Sequence, residues 1–288
     1  MNDLTRIEFV KLLSQKKLSI FFIVGLMIEI LLACQVRTIM PEGFRDSVYR
    51  YYLGNIKGKY SAEKKQYLES EYRRFQDLLQ NQDEYERQYS AGVMEGTNYR
   101  EILNEIKSAE YRMATLEYLM QKAEYYENRD IPADFFYDIV LGDYVEHLGT
   151  DYVALILIFL LVFPIYMDDY FAGTTAMIRS SKNGQRKLFL NRIQVTVCVS
   201  AMTSIVYSVA EFMTKYIRFD IGNLKAATGS LMIEKTAAMT QRMICMPAVE
   251  YISIIALYRI VIAIIFGMIV LLMTRYYGNI FNLSGNGK

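Results

Sequence analysis

Three ionisable residues stand inside long apolar runs: Glu29 within residues 18–36, Glu211 within 193–213 and Arg259 within 249–273. A charge at mid-depth of a bilayer costs roughly 3 kcal/mol even on lenient insertion scales, so each should face protein or water. Glu29 and Arg259 fall at comparable depth in the outer halves of their runs, which predicts an ion pair between them. Glu211 lies nearer the outer end of its run and is expected to snorkel to the interface. A second set of residues lies between two of the runs: Asp169, Gly173, Ile178, Arg179, Gly184, Arg186, Lys187 and Arg192. The acidic pair Asp168 and Asp169 closes one run, and a helix-like stretch with Phe171, Met177 and Ile178 on its apolar side follows. A polar turn at Lys182, Asn183 and Gly184 then precedes a basic cluster. Such an element can seat its apolar side in a groove on a soluble partner while its cations meet acidic groups there.

Other chemistries are excluded by residue type. His147 is the single histidine, and Cys34, Cys198 and Cys245 lack metal-ligand spacing, so no metal centre and no catalytic constellation is expected. The three cysteines read as small buried hydrophobes. The only trace of a nucleotide-binding loop, residues 285–288, has no helix after it, so ATP hydrolysis would have to come from a separate chain. No cofactor and no nucleic-acid partner is expected.

Placing these residues requires membrane helices. About 20 apolar residues cross a hydrocarbon core of about 30 Å. Four segments qualify: 18–36, 152–167, 193–213 and 249–273. Four such stretches exceed what a soluble domain of this size could enclose. The net charge of +1 hides a split: residues 37–150 hold 21 of 31 acidic and 15 of 32 basic residues, and the apolar remainder is net basic. Arg6, Lys11, Lys16 and Lys17 precede the first span, and Arg179, Lys182, Arg186, Lys187 and Arg192 lie between the second and third. The positive-inside rule puts both segments in the cytoplasm and sends 37–151 and 214–248 outside. Residues 1–17 read as an interfacial amphipathic helix, and 274–288 as a cytoplasmic tail. The run that ends at Leu31, Leu32, Ala33 and Cys34 imitates a lipoprotein leader, but its length, Glu29 and the three later spans argue against cleavage.

The outside domain reads as two long helices over 60–128. Ser61 is a candidate N-cap for the first. Gly92 and Gly96 break the pattern, and Asn98 with Glu101 fits a capping box for the second. Ile102, Ile106, Ala109, Met113, Leu116, Met120 and Ala123 recur at steps of four and three, which predicts a coiled-coil seam in an antiparallel hairpin. Fifteen of the 24 tyrosines fall between residues 37 and 150, as expected where rings pack edge-on and hydroxyls stay wet. Met232, Met239, Met243 and Met246 suggest an amphipathic helix before the fourth span. The fold class expected is an all-α polytopic membrane protein with a large helical extracytoplasmic domain between its first two spans.

The 168–192 loop resembles that of the permease subunits of type-2 ABC exporters. In that family an acid ends the second span, a glycine follows, and a short coupling helix leads through a polar turn to basic residues before the third span. Asp169, Gly173, Gly184, Arg186 and Arg192 occupy those positions, with Asp and Arg where the family usually has Glu and Lys. The resemblance implies a plasma-membrane subunit that works as a homo- or heterodimer with a separate ATP-binding subunit. The family normally has six spans, so four imply either a truncated or divergent copy or a fragment of a longer chain. Permeases of the mechanotransmitter kind have four spans and a large outside domain, which matches the count. A sensor or scaffold without an ATPase is the third reading.

Overall fold

The computed structural model describes residues 16–35, 40–129, 131–149, 151–171, 184–219, 221–232 and 239–285. Among these residues lie ten α-helices: α1 (Lys16–Ala33), α2 (Asp46–Ile56), α3 (Ala62–Gln80), α4 (Gln82–Ser90), α5 (Gly96–Arg129), α6 (Ile139–His147), α7 (Tyr152–Phe171), α8 (Gly184–Arg218), α9 (Gln241–Cys245) and α10 (Ala248–Gly285). Two-residue strands, β1 (Gly58–Lys59) and β2 (Asp134–Phe135), pair antiparallel. The chain divides into two compact units.

The first unit comprises Met1–Gln35, Leu148–Phe219 and Ile252–Lys288. Two of its helices, over Arg186–Arg218 and Ala248–Tyr277, are long and apolar enough to cross a membrane, and Leu18–Ala33 is apolar but shorter. The chain is therefore a mostly helical, membrane-associated protein. Leu157, Ile158 and Val162 of α7, Val195 and Tyr207 of α8, and Ala263 and Leu271 of α10 form its core. Outward faces stay apolar, as Ile20, Met27, Met202, Leu257 and Val261 illustrate. Helices apolar on every side need a nonaqueous surround. Association then depends on close packing of small residues. A Cβ on Gly25 would come within 2.5 Å of the Tyr207 hydroxyl, and one on Gly267 would collide with Ser200 Oγ. The glycines let α1 and α10 approach α8 closely.

Helix ends differ from the expected spans. α8 has 35 residues, about 52 Å of helix, and takes in the end of the loop before the third span. α10 continues through the expected tail as far as Gly285. α7 is continuous through Pro164. The expected amino-terminal interfacial helix lies outside the described residues, except for its last two, which open α1.

The second unit comprises Val36–His147 and Asp220–Tyr251. Ser61 has the extended backbone of an N-cap before α3, although its side chain makes no capping bond. α3 and α5 run antiparallel, since Lys65 pairs with Glu127 at 2.5 Å and Arg74 with Glu105 at 2.8 Å. Both pairs are exposed and contribute little. The helix break at Gly92, whose φ is +74°, falls where the glycines placed it. A further break occurs at Asn81, whose amide donates to the Asp77 carbonyl at 2.9 Å, a local bond that competes with the helix. α5 begins at Gly96, so Asn98 lies in its first turn rather than capping it.

The expected two-stranded seam is replaced by a broader burial. Ala109, Thr115, Leu116, Leu119, Lys122, Ala123 and Tyr126 are buried on α5, whereas Met113 and Met120 are only partly so. The reason is a third helix: Tyr49, Tyr52, Leu53 and Ile56 of α2 are buried in the same core. A helix covered from two sides hides a wide stripe, not a narrow a/d line. Tyrosines therefore fill the core, and Tyr49 and Tyr52 are fully buried.

The late segment joins this domain. Ala227 and Ile244 belong to its core, and Tyr126 donates to the Ser230 carbonyl at 2.6 Å. The methionine-bearing stretch is not one amphipathic helix. A 3-10 turn at Thr228–Leu231, the left-handed Met232 (φ 46°) and the short α9 share it. Thr228 N donates to the Met246 carbonyl at 2.8 Å, and Ala248 N to that of Ala226 at 2.9 Å, closing the segment on itself. Gly222, at φ +77°, passes so close to the Tyr137 carbonyl that a Cβ there would collide with it.

Candidate functional site

Each unit holds a cluster of buried polar groups. In the membrane unit the organising element is α8. Gly184 is its first residue, and Arg186 and Lys187 are exposed in its first turn. Arg192 is 4% exposed, and Thr196, Ser200, Thr203 and Ser204 are buried beyond it. These positions recur every three or four residues, so they share one face of the helix. The same face continues to Glu211 and Lys215.

At that end the charges are gripped. Arg259 Nη1 donates to Glu211 Oε2 at 2.5 Å, and Arg259 Nε donates to the Gly149 carbonyl at 2.7 Å. Lys215 Nζ donates to the Gln35 carbonyl at 2.7 Å. The ion pair seen is thus Glu211–Arg259, where Glu29–Arg259 was expected. Glu211 does not snorkel: its side chain is 14% exposed, against 5% for Arg259. Glu29 is itself buried on α1. Depth follows from distance to a helix end, but rotation about the helix axis decides which acid meets the guanidinium. Along α8, Arg186 and Glu211 are separated by 25 residues, about 38 Å of unbroken helix.

The expected coupling residues are brought together only in part. Asp169 belongs to the last turn of α7. Gly173, Ile178 and Arg179 lie outside the described residues, as does most of the expected coupling helix. Cys198, expected to be buried, is exposed on α8, whereas Cys34 and Cys245 are half-buried. His147 ends α6, with Nδ1 2.9 Å from the Asp143 carbonyl oxygen. Among the described residues no group of histidine, cysteine and carboxylate side chains could hold a metal.

The second cluster joins residues far apart in sequence. Lys122 of α5 pairs with Asp138, and their side chains are 0% and 2% exposed. The Tyr49 hydroxyl donates to Asp138 Oδ1 at 2.5 Å and lies 3.4 Å from Lys122 Nζ. Burial pushes the Tyr49 and Tyr126 phenols well up, and the nearby Asp138 adds to the effect. Burial lowers the Lys122 ammonium, against the opposing pull of Asp138. The sequence carried one faint signal: Lys122 stands beside Ala123, on the apolar side of α5. The outer face of α3 and α4 also forms an open groove of about 640 Å³, where Glu69, Arg73, Arg74 and Asp77 mix both charges.

Neither a protein-family model, nor a curated protein, nor a solved structure matches this chain.

Proposed function

We propose that this chain is a four-span membrane subunit that carries movement from a separate cytoplasmic ATPase to its own extracytoplasmic domain. The spans are α1, α7, α8 and α10, with the amino terminus in the cytoplasm of a plasma-membrane protein. The observation that carries the reading is α8. One unbroken helix holds Arg186 and Lys187 exposed in its first turn and grips Arg259 of α10 through Glu211. A push on the basic end moves the ion-paired end, because a hydrogen-bonded helix has no joint at which to absorb it. Asp169 at the end of α7, together with Gly173, Ile178 and Arg179, is assigned to the ATPase contact on the resemblance of the 168–192 loop.

The mechanotransmitter form is favoured over export because residues on both sides of α7 and α8 join one compact unit. Movement of the spans would then reach one folded body. Export by a dimer of permeases is the second reading, and the buried hydroxyls of Thr196, Ser200 and Thr203 on α8 favour it. Pull-down from membranes tests the coupling. Wild type should retain a nucleotide-hydrolysing partner that Asp169→Ala and Arg186→Glu lose; equal retention by all three would remove the loop from the mechanism. Solute flux in liposomes containing the assembled complex separates export from transmission.

A further inference from the structure

We propose that Lys122 and Asp138 become joined by an amide bond between Nζ and Cγ, a covalent cross-link inside the outer domain. The inference is independent of the transport reading and rests on how the two side chains are housed. Lys122 Nζ is in direct contact with Asp138 Oδ2, so the carboxyl carbon lies one bond beyond. Neither side chain is reached by solvent. The rings of Tyr126 and Phe136 each have their centroid 6.0 Å from Nζ. An ionised pair so enclosed bears a desolvation cost on both partners. Passing the ammonium proton to Oδ2 removes both charges and leaves an uncharged amine against a carboxylic acid. Burial lowers the Lys122 ammonium, which favours that transfer.

The rest is amide condensation. The Nζ lone pair attacks Cγ, the Nζ–Cγ bond forms and Oδ1 takes the negative charge. Tyr49 already donates a hydrogen bond to Oδ1, where that charge develops. A proton then moves from nitrogen to the Oδ2 hydroxyl, the Cγ–Oδ2 bond breaks, and one water molecule leaves as the carbonyl reforms. Nothing is oxidised or reduced, and no cofactor is needed. In water such a bond forms slowly, because the partners are dilute and charged. Here the fold holds them in contact, which is worth a large effective concentration. The dry site also keeps water from reversing the step. The bond would close the chain from α5 to the residue immediately before α6.

Mass spectrometry of the full-length protein, purified in detergent and denatured, tests this directly. The wild-type chain should be lighter than its sequence by one water. Trypsin should yield residues 113–129, uncut at Lys122, joined to the peptide that begins at residue 130. Lys122→Arg and Asp138→Ala should lose the joined peptide. Tyr49→Phe should leave a larger unlinked fraction at early times after synthesis while reaching the same product. A wild-type chain of full mass that trypsin cuts at Lys122 would overturn the proposal and leave a buried ion pair. Loss of water confined to the single peptide containing Asp138 would overturn it too, because that is cyclisation onto the backbone.

Discussion

Arg259 shows how much one buried cation depends on its neighbours. With Glu211 at 2.5 Å and the Gly149 carbonyl at 2.7 Å, it is paired and hydrogen-bonded, the condition under which a buried charge is tolerated. Removing one partner strands the other. Glu211→Leu or Arg259→Leu alone should each destabilise the detergent-purified protein by about 3 kcal/mol, whereas the double substitution should cost less than either. Thermal unfolding measures this, and additive losses would show that the two side chains do not act as a pair. The tyrosines give a second residue-scale expectation. Tyr49 and Tyr126 remain protonated in the fold well above the usual phenol range, and burial pushes Tyr52 up to about 12. Above pH 10 the unfolded chain loses these protons and the folded one keeps them, so stability falls as pH rises. The slope is about 1.4 kcal/mol per pH unit for each such phenol. The final part of the phenolate absorbance rise, that of the buried rings, should therefore coincide with loss of helical circular dichroism. A rise that reaches completion while helicity persists would mean these rings are hydrated.

At the scale of elements, two helical glycines should respond in opposite ways. Gly54 in α2 has open space where a Cβ would sit, so Gly54→Ala should stabilise the second unit by about 0.5–1 kcal/mol through helix propensity. Gly267 in α10 faces Ser200 and Thr196 of α8, so Gly267→Val should cost about 2 kcal/mol by overpacking the crossing. Melting temperatures of the two variants, read against wild type, should move in opposite directions. A tolerated Gly267→Val would mean that α8 and α10 do not cross there. The α5 seam makes a related point. Ile102, Ile106, Ala109, Met113, Leu116, Met120 and Ala123 mark the apolar side of the helix correctly, but periodicity does not count the partners. Burial of Lys122 and Tyr126 beside them follows from α2 packing on the same helix, and no heptad contains that fact.

For the whole molecule, topology is the claim with the widest consequences. In a chain with Cys34, Cys198 and Cys245 replaced by Ala, a membrane-impermeant thiol reagent applied to intact cells should label Ser90→Cys. It should reach Ser180→Cys only after permeabilisation. Rapid labelling of Ser180→Cys in intact cells would invert the orientation and end the coupling mechanism.

What could be read along the chain was whatever depends on residues near one another in sequence: long apolar helices, the break at Gly92, the charge asymmetry, and Glu29, Glu211 and Arg259 as groups needing partners. Hydropathy and turn chemistry are local, so they survive without a fold. Three matters were settled by tertiary structure alone. Glu211 holds Arg259, because the azimuth of each helix depends on its neighbours. Residues 220–251 enter the core of the domain formed by 36–147, because Tyr126 and Ser230, 104 positions apart, meet only after folding. Lys122, Asp138 and Tyr49 converge in a dry core, because three separate segments each bring one polar group to a place that no single stretch of sequence describes.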